Sequence, residues 1–173
     1  MQTRFIILIY ILCSHLLIGC SRRQPNLTCL PECEVVYNAY EISYTDLLRN
    51  GRPKVVVHNN MLSKDISAVT LFNDVALLKK QIEEFPEFDF IYYFPVAINY
   101  SEQIRSIAQE NNLKIVAIID SNNSFGEINK ISKKVIASAM IFDKNLKPHF
   151  SAIPGVSFSP FNKEIIKYKT KLR

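Results

Sequence analysis

Apolar positions along this chain fall into two spacings, and their alternation predicts the order of the elements. Lys54-Val55-Val56-Val57 is a β-branched run without polar interruption after the lysine, the pattern of a strand covered on both faces. Past a polar junction from His58 to Ile66, apolar residues return at Leu71, Val75, Leu78, Ile82 and Phe85. Those steps of four and three place one apolar stripe along a helix. Phe88 to Val96 and Leu113 to Ile119 repeat the buried-strand pattern, and Ser101 can cap a helix between them carrying Ile104, Ile107 and Ala108.

Shorter signals fill the remaining chain. Glu34 to Tyr40 reads as a strand, and Tyr44 to Leu48 as one helical turn capped by Thr45 and ended by Asn50-Gly51. Phe125 to Lys134 predicts a weak helix. Val135 to Phe142, the turn Asp143-Lys144-Asn145, and Leu146 to Ile153 predict a hairpin. Ser159 and Pro160 open a last helix as N-cap and first residue. Strands alternating with helices and closing in a hairpin define an α/β sandwich, a mixed central sheet flanked by helices.

The N-terminal segment departs from this pattern. Arg4, the apolar run Phe5 to Leu12, and Leu17-Ile18-Gly19-Cys20 form a secretory signal too short for a convincing membrane span. The last four residues resemble the bacterial lipobox, which implies cleavage before Cys20 and acylation of its sulfur, typically with palmitate. The expected organisation is a signal peptide over 1–19, a lipidated tether over 20–33 and one domain over 34–173. Ser21 after the cysteine resembles sorting to an outer membrane, with the domain facing the periplasm.

Charge narrows the partners. The formal net charge is +5, with 21 Lys and Arg against 16 Asp and Glu, and loss of Arg4 with the signal lowers it by one. The basic residues are scattered apart from Arg22-Arg23 and the C-terminal lysines, and the chain has no tryptophan. Without a basic, aromatic stripe, nucleic acid is excluded as a partner. Arg22 and Arg23 suit lipid head groups beside an anchor.

Two further segments resemble a known family. Leu113-Lys114-Ile115-Val116-Ala117-Ile118-Ile119-Asp120 and Met140-Ile141-Phe142-Asp143-Lys144-Asn145-Leu146-Lys147 are similar to the inserted strand and the strand-turn segment of the thioredoxin-like fold. The branch is the redoxins, with membrane-anchored thiol-disulfide oxidoreductases and peroxiredoxins, and the resemblance spans Glu34 to Leu172. Leu146 stands where the family turn has glycine. The resemblance implies catalytic cysteines near Lys64 and Ser67 and a cis-proline near Ala137, yet no cysteine follows Cys33. Neither lysine nor serine supplies a thiolate, so no catalytic residue is assigned at the family position.

Other chemistry is sparse. Cys29 and Cys33, in Cys29-Leu30-Pro31-Glu32-Cys33, are the thiols left once Cys20 is acylated. Three readings stand: a local disulfide in an oxidising envelope, a working redox pair, or a metal pair like those of copper-delivering thioredoxin-like proteins. His58 and His149 are too far from them in sequence to argue for a metal, and none is assigned. Asn59, Asn60, Ser63, Lys64 and Ser67, with Ala137, converge on the former active-site mouth. Polar groups and one lysine at a helix start suit a carboxylate or other anion. The expectation is a non-catalytic envelope lipoprotein that binds an envelope protein or small ligand through that face, without a cofactor. The alternative is an envelope thiol-disulfide oxidoreductase using Cys29 and Cys33.

Overall fold

A computed structural model of the protein describes Leu27 and residues 33–59, 75–131, 137–150 and 158–171. Among them the strands are β1 (Glu34–Asn38), β2 (Lys54–Asn59), β3 (Asp89–Phe94), β4 (Ile115–Ile119), β5 (Ala137–Phe142) and β6 (Pro148–Phe150). The helices are α1 (Tyr44–Arg49), α2 (Val75–Glu84), α3 (Ser101–Glu110), α4 (Ser124–Ile128) and α5 (Phe158–Lys171). All six strands form one sheet in the order β1-β4-β3-β2-β5-β6. β2, β3 and β4 run parallel at its centre; β1, β5 and β6 each pair antiparallel with their inner neighbour. The parallel strands need helical crossovers, and α2 and α3 supply them.

Strand alternation divides the core in two. Val55, Val57, Phe90, Tyr92, Phe94, Ile115 and Ile119 point to one face, where Leu78 and Ile82 of α2, Ile104 and Ile107 of α3, and Ile165 and Tyr168 of α5 cover them. Val56, Ile91, Tyr93, Val116, Ile118, Met140 and Phe142 point to the other, beneath Tyr44 and Leu47 of α1 and Phe125 of α4. Burial on both faces explains why the central strands read as unbroken apolar runs. On the outer edge of β1, Arg105 of α3 donates from Nε to the Val36 carbonyl at 3.0 Å, occupying an acceptor that another chain would otherwise find.

Several boundaries differ from the sequence reading. Ser43, not Thr45, caps α1, its hydroxyl accepting the Asp46 N–H at 3.1 Å. Ser101 is the first residue of α3 and not its cap, because a 3₁₀ turn over Ile98–Tyr100 leads into the helix. α4 ends at Ile128, where Asn129 and Lys130 continue as a turn. β6 begins at Pro148 and not at Leu146, because Leu146 adopts a left-handed φ of 59° in the turn; the predicted end at Ile153 lies outside the described residues. α5 starts at Phe158, so Ser159 and Pro160 lie inside its first turn, where a missing N–H leaves no helix bond unmade. Leu71, the first residue of the predicted stripe, lies outside the described residues.

Leu27 falls in the segment expected to be the tether, and only 3% of its surface is exposed. Its side chain joins the core under α1, and its carbonyl accepts from the Tyr44 hydroxyl at 3.3 Å. Leu27 thus packs against the domain ahead of β1.

Candidate functional site

The C-terminal ends of β2, β3 and β4 and the first residues of β5 form the end of the sheet where the sequence places its site. β2 runs two residues beyond the apolar run, and register with β5 holds them: His58 lies opposite Ser138 and Asn59 opposite Ala137. All four are buried. Asn59 is thus the last residue of β2, with 3% of its surface exposed. Ala137 occupies the start of β5, where the family resemblance puts a proline. Asn60, Ser63, Lys64 and Ser67 lie outside the described residues, as do Cys20 and Cys29.

His58 is the residue that sequence reasoning undervalued. Its ring points to the α1/α4 face with none of its surface exposed. Nε2 donates to Asn123 Oδ1 at 2.8 Å, leaving Nδ1 as the bare nitrogen. Among the described residues neither Nδ1 nor the buried Ser138 hydroxyl has a hydrogen-bond partner. Burial pushes the imidazole below its ordinary value, while the Asn123 bond and the Asp120 charge pull it partly back. The ring is therefore neutral at pH 7.

The α4 loop is built to meet it. Asp120 at the end of β4 accepts the N–H groups of Ser124 (2.9 Å) and Phe125 (2.7 Å), placing its charge at the helix start. Asn123 adopts a left-handed φ of 55°, which asparagine tolerates, and turns its amide toward His58. Gly126 leaves the room: a Cβ there would sit 2.3 Å from Asn123 Oδ1. Phe125 stacks on Tyr93 at 4.0 Å between centroids and on His58 at 5.9 Å. Tyr93 and Tyr44 share a hydroxyl bond of 2.7 Å. A continuous array of Tyr44, Tyr93, Phe125 and His58 thus runs from the docked Leu27 to the end of β2.

The opposite end of the sheet carries a buried ion cluster. Lys54 Nζ donates to Asp89 Oδ2 at 2.8 Å, to Asn50 Oδ1 at 2.6 Å and to the Arg52 carbonyl at 2.7 Å. Arg52 Nε and Asn50 Nδ2 complete the Asp89 carboxylate at 2.8 and 2.7 Å. Burial lowers the Lys54 ammonium pKa, and the hydrogen bond to Asp89 opposes that shift. Three donors on one carboxylate and three acceptors on one ammonium make this a satisfied structural cluster. A cavity of about 380 Å³ lies at this end too, lined by Tyr40, Ile82, Pro86, Phe88, Leu113 and Lys114, away from the candidate site.

Cys33 lies just before β1, partly buried against the α1/α4 core. β1 begins opposite Ile119, so Cys33 sits at the same end of the sheet as His58. Among the described residues no three His, Cys, Asp or Glu side chains converge as a metal site. No helix among them is long and apolar enough to cross a membrane.

Solved structures similar to this chain share its architecture. A thioredoxin-like protein solved in its oxidised form superposes with a TM-score of 0.58 at 14% identity, covering 85% of this chain and 95% of its own. A thiol peroxidase from Chromobacterium violaceum gives 0.52 at 12% identity, over 85% and 88%. A yeast mitochondrial 1-Cys peroxiredoxin gives 0.53 at 18% identity, over 75% and 68%. No protein-family model and no curated protein matches the sequence. At these identities the likeness carries the fold, and the protein has the thioredoxin-like α/β fold with a mixed six-stranded sheet.

Proposed function

We propose that this protein is a non-catalytic thioredoxin-like module, held at a bacterial envelope membrane through acylated Cys20, that binds an envelope protein or small ligand. One observation carries the reading: no cysteine follows Cys33, so the family position beyond β2 has no thiol, and the end of that strand carries the buried, neutral His58. A scaffold kept intact around a site without its nucleophile suits recognition better than thiol exchange. The face proposed to bind is the one the sequence assigns to Asn59, Asn60, Ser63, Lys64 and Ser67. Lipobox and Ser21 favour the outer membrane, with the domain facing the periplasm. The test is cross-linking in intact cells with the wild type and a Ser63→Ala/Lys64→Ala variant. Loss of the wild-type partner by a folded variant is expected; an unchanged cross-link would remove this face from consideration.

A second reading is favoured by the position of Cys33 at the site end of the sheet. There Cys29 and Cys33 would form a thiol-disulfide oxidoreductase pair. Equilibration in glutathione buffers followed by alkylation and intact mass decides it. Exchange at about −120 to −270 mV matches known thiol oxidoreductases, whereas a disulfide closed below roughly −300 mV is structural. Reductase activity unchanged in Cys29→Ser would exclude the pair.

A further inference from the structure

We infer that the docked Leu27 turns the α1/α4 face of the domain toward the bilayer and keeps it close to the membrane. The inference rests on the lipid anchor proposed at Cys20. Leu27 is buried under α1 and bonded to Tyr44, so a leash of seven backbone steps separates an anchor at Cys20 from this contact with the domain, shorter than the full tether over 20–33. Seven backbone steps span at most about 25 Å fully extended. A domain of this size is about 35–40 Å across, wider than the leash is long. The side on which the leash enters must therefore lie nearest the head groups.

That side is defined by residues on the page. Tyr44 and Leu47 of α1 and Phe125 of α4 pack with Leu27 in one core, while Ile165 and Tyr168 of α5 belong to the opposite one. Exposed Ile42 and Ile128 stand on the leash side, at 40% and 44% exposure. The charges there, Glu41, Asp46, Arg49, Glu127 and Lys130, are of mixed sign. Anionic lipid gives them no strong net pull, so the leash itself sets the orientation. The buried aromatic array from Tyr44 to His58 lies in the layer under this face, so His58 is held on the membrane side of the sheet. This face would meet partners held in the same membrane before those bridging from elsewhere.

The test uses the full lipidated protein in vesicles with acceptor-labelled head groups. A donor dye is attached through an unnatural amino acid at position 128 or at position 163, which is exposed on α5. Energy transfer at least twofold higher from 128 than from 163 is expected. A twelve-residue Gly/Ser insertion between Gln24 and Pro25 should abolish the difference. Equal transfer from the two positions, or more from 163, overturns the inference. A difference that survives the insertion also overturns it, since surface contact and not leash length would then set the orientation. Failure of the protein to float with vesicles refutes the lipid anchor, and is separable from failure of the orientation in protein that does float.

Discussion

His58 and Asn123, 65 residues apart, join at 2.8 Å through a space that exists because residue 126 is glycine. The bond closes the α4 loop over the end of β2. In Gly126→Ala the new Cβ must displace the Asn123 amide, which cannot both yield and keep its bond. The lost buried hydrogen bond costs about 1–2 kcal/mol, against a helix-propensity gain of up to about 1 kcal/mol. In an Asn123→Ala background the same substitution should be neutral or stabilising. A double-mutant cycle by urea unfolding measures the coupling.

Burial of the neutral imidazole makes stability depend on pH. The folded-state pKa of His58 lies below its unfolded value of about 6.5. Between the two the unfolded chain binds the proton and the folded chain does not, so stability falls as pH drops below about 6.5. The slope contributed by one such group approaches about 1.4 kcal/mol per pH unit. His58→Gln, which keeps a side-chain donor for Asn123, should lose this component. Unfolding midpoints of both proteins between pH 8 and 5 check it; parallel profiles would show that His58 does not titrate against folding.

The ion cluster at the other end predicts a contrast. Lys54 is fully buried, whereas the Arg52 side chain is 40% exposed. Lys54→Met leaves Asp89 without its closest buried cation and should cost about 3 kcal/mol, toward the low end for a broken buried pair because Arg52 and Asn50 still donate. Arg52→Ala should cost about 1 kcal/mol. Lys54→Met/Asp89→Leu should be less destabilised than the sum of the single changes, as denaturant midpoints would show.

Docking of Leu27 predicts a stability effect from a residue outside any regular element. Leu27→Ala empties space under α1 and should cost about 2–4 kcal/mol. Tyr44→Phe removes the hydroxyl that contacts both Leu27 and Tyr93 and should cost about 1–2 kcal/mol. Thermal melts of a chain beginning at Ser21 distinguish these values from the near-zero effect expected of a free tether.

Much of the fold was legible because periodicity is a local property. Val55 to Val57, Phe88 to Val96 and Leu113 to Ile119 announce strands covered on both faces, and the stripe through Val75, Leu78 and Ile82 announces its helix without knowledge of any partner. Absence of cysteine after Cys33 likewise needs no coordinates, and it alone removes the thiol chemistry of the family position. Tertiary structure decided what depends on register and distance. Polar His58 and Asn59 read as junction residues, yet pairing with Ser138 and Ala137 keeps them in the strand, because ladder bonds and burial outweigh local propensity. Asp120 was legible only as the end of the family-like strand, and Asn123 and Gly126 carried no site signal, until the sheet brought the end of β2 against α4. Lys54 and Asp89 become partners because parallel register sets them side by side. Leu27 looked like leash, being one apolar residue among polar ones, and only the gap beneath α1 makes it core.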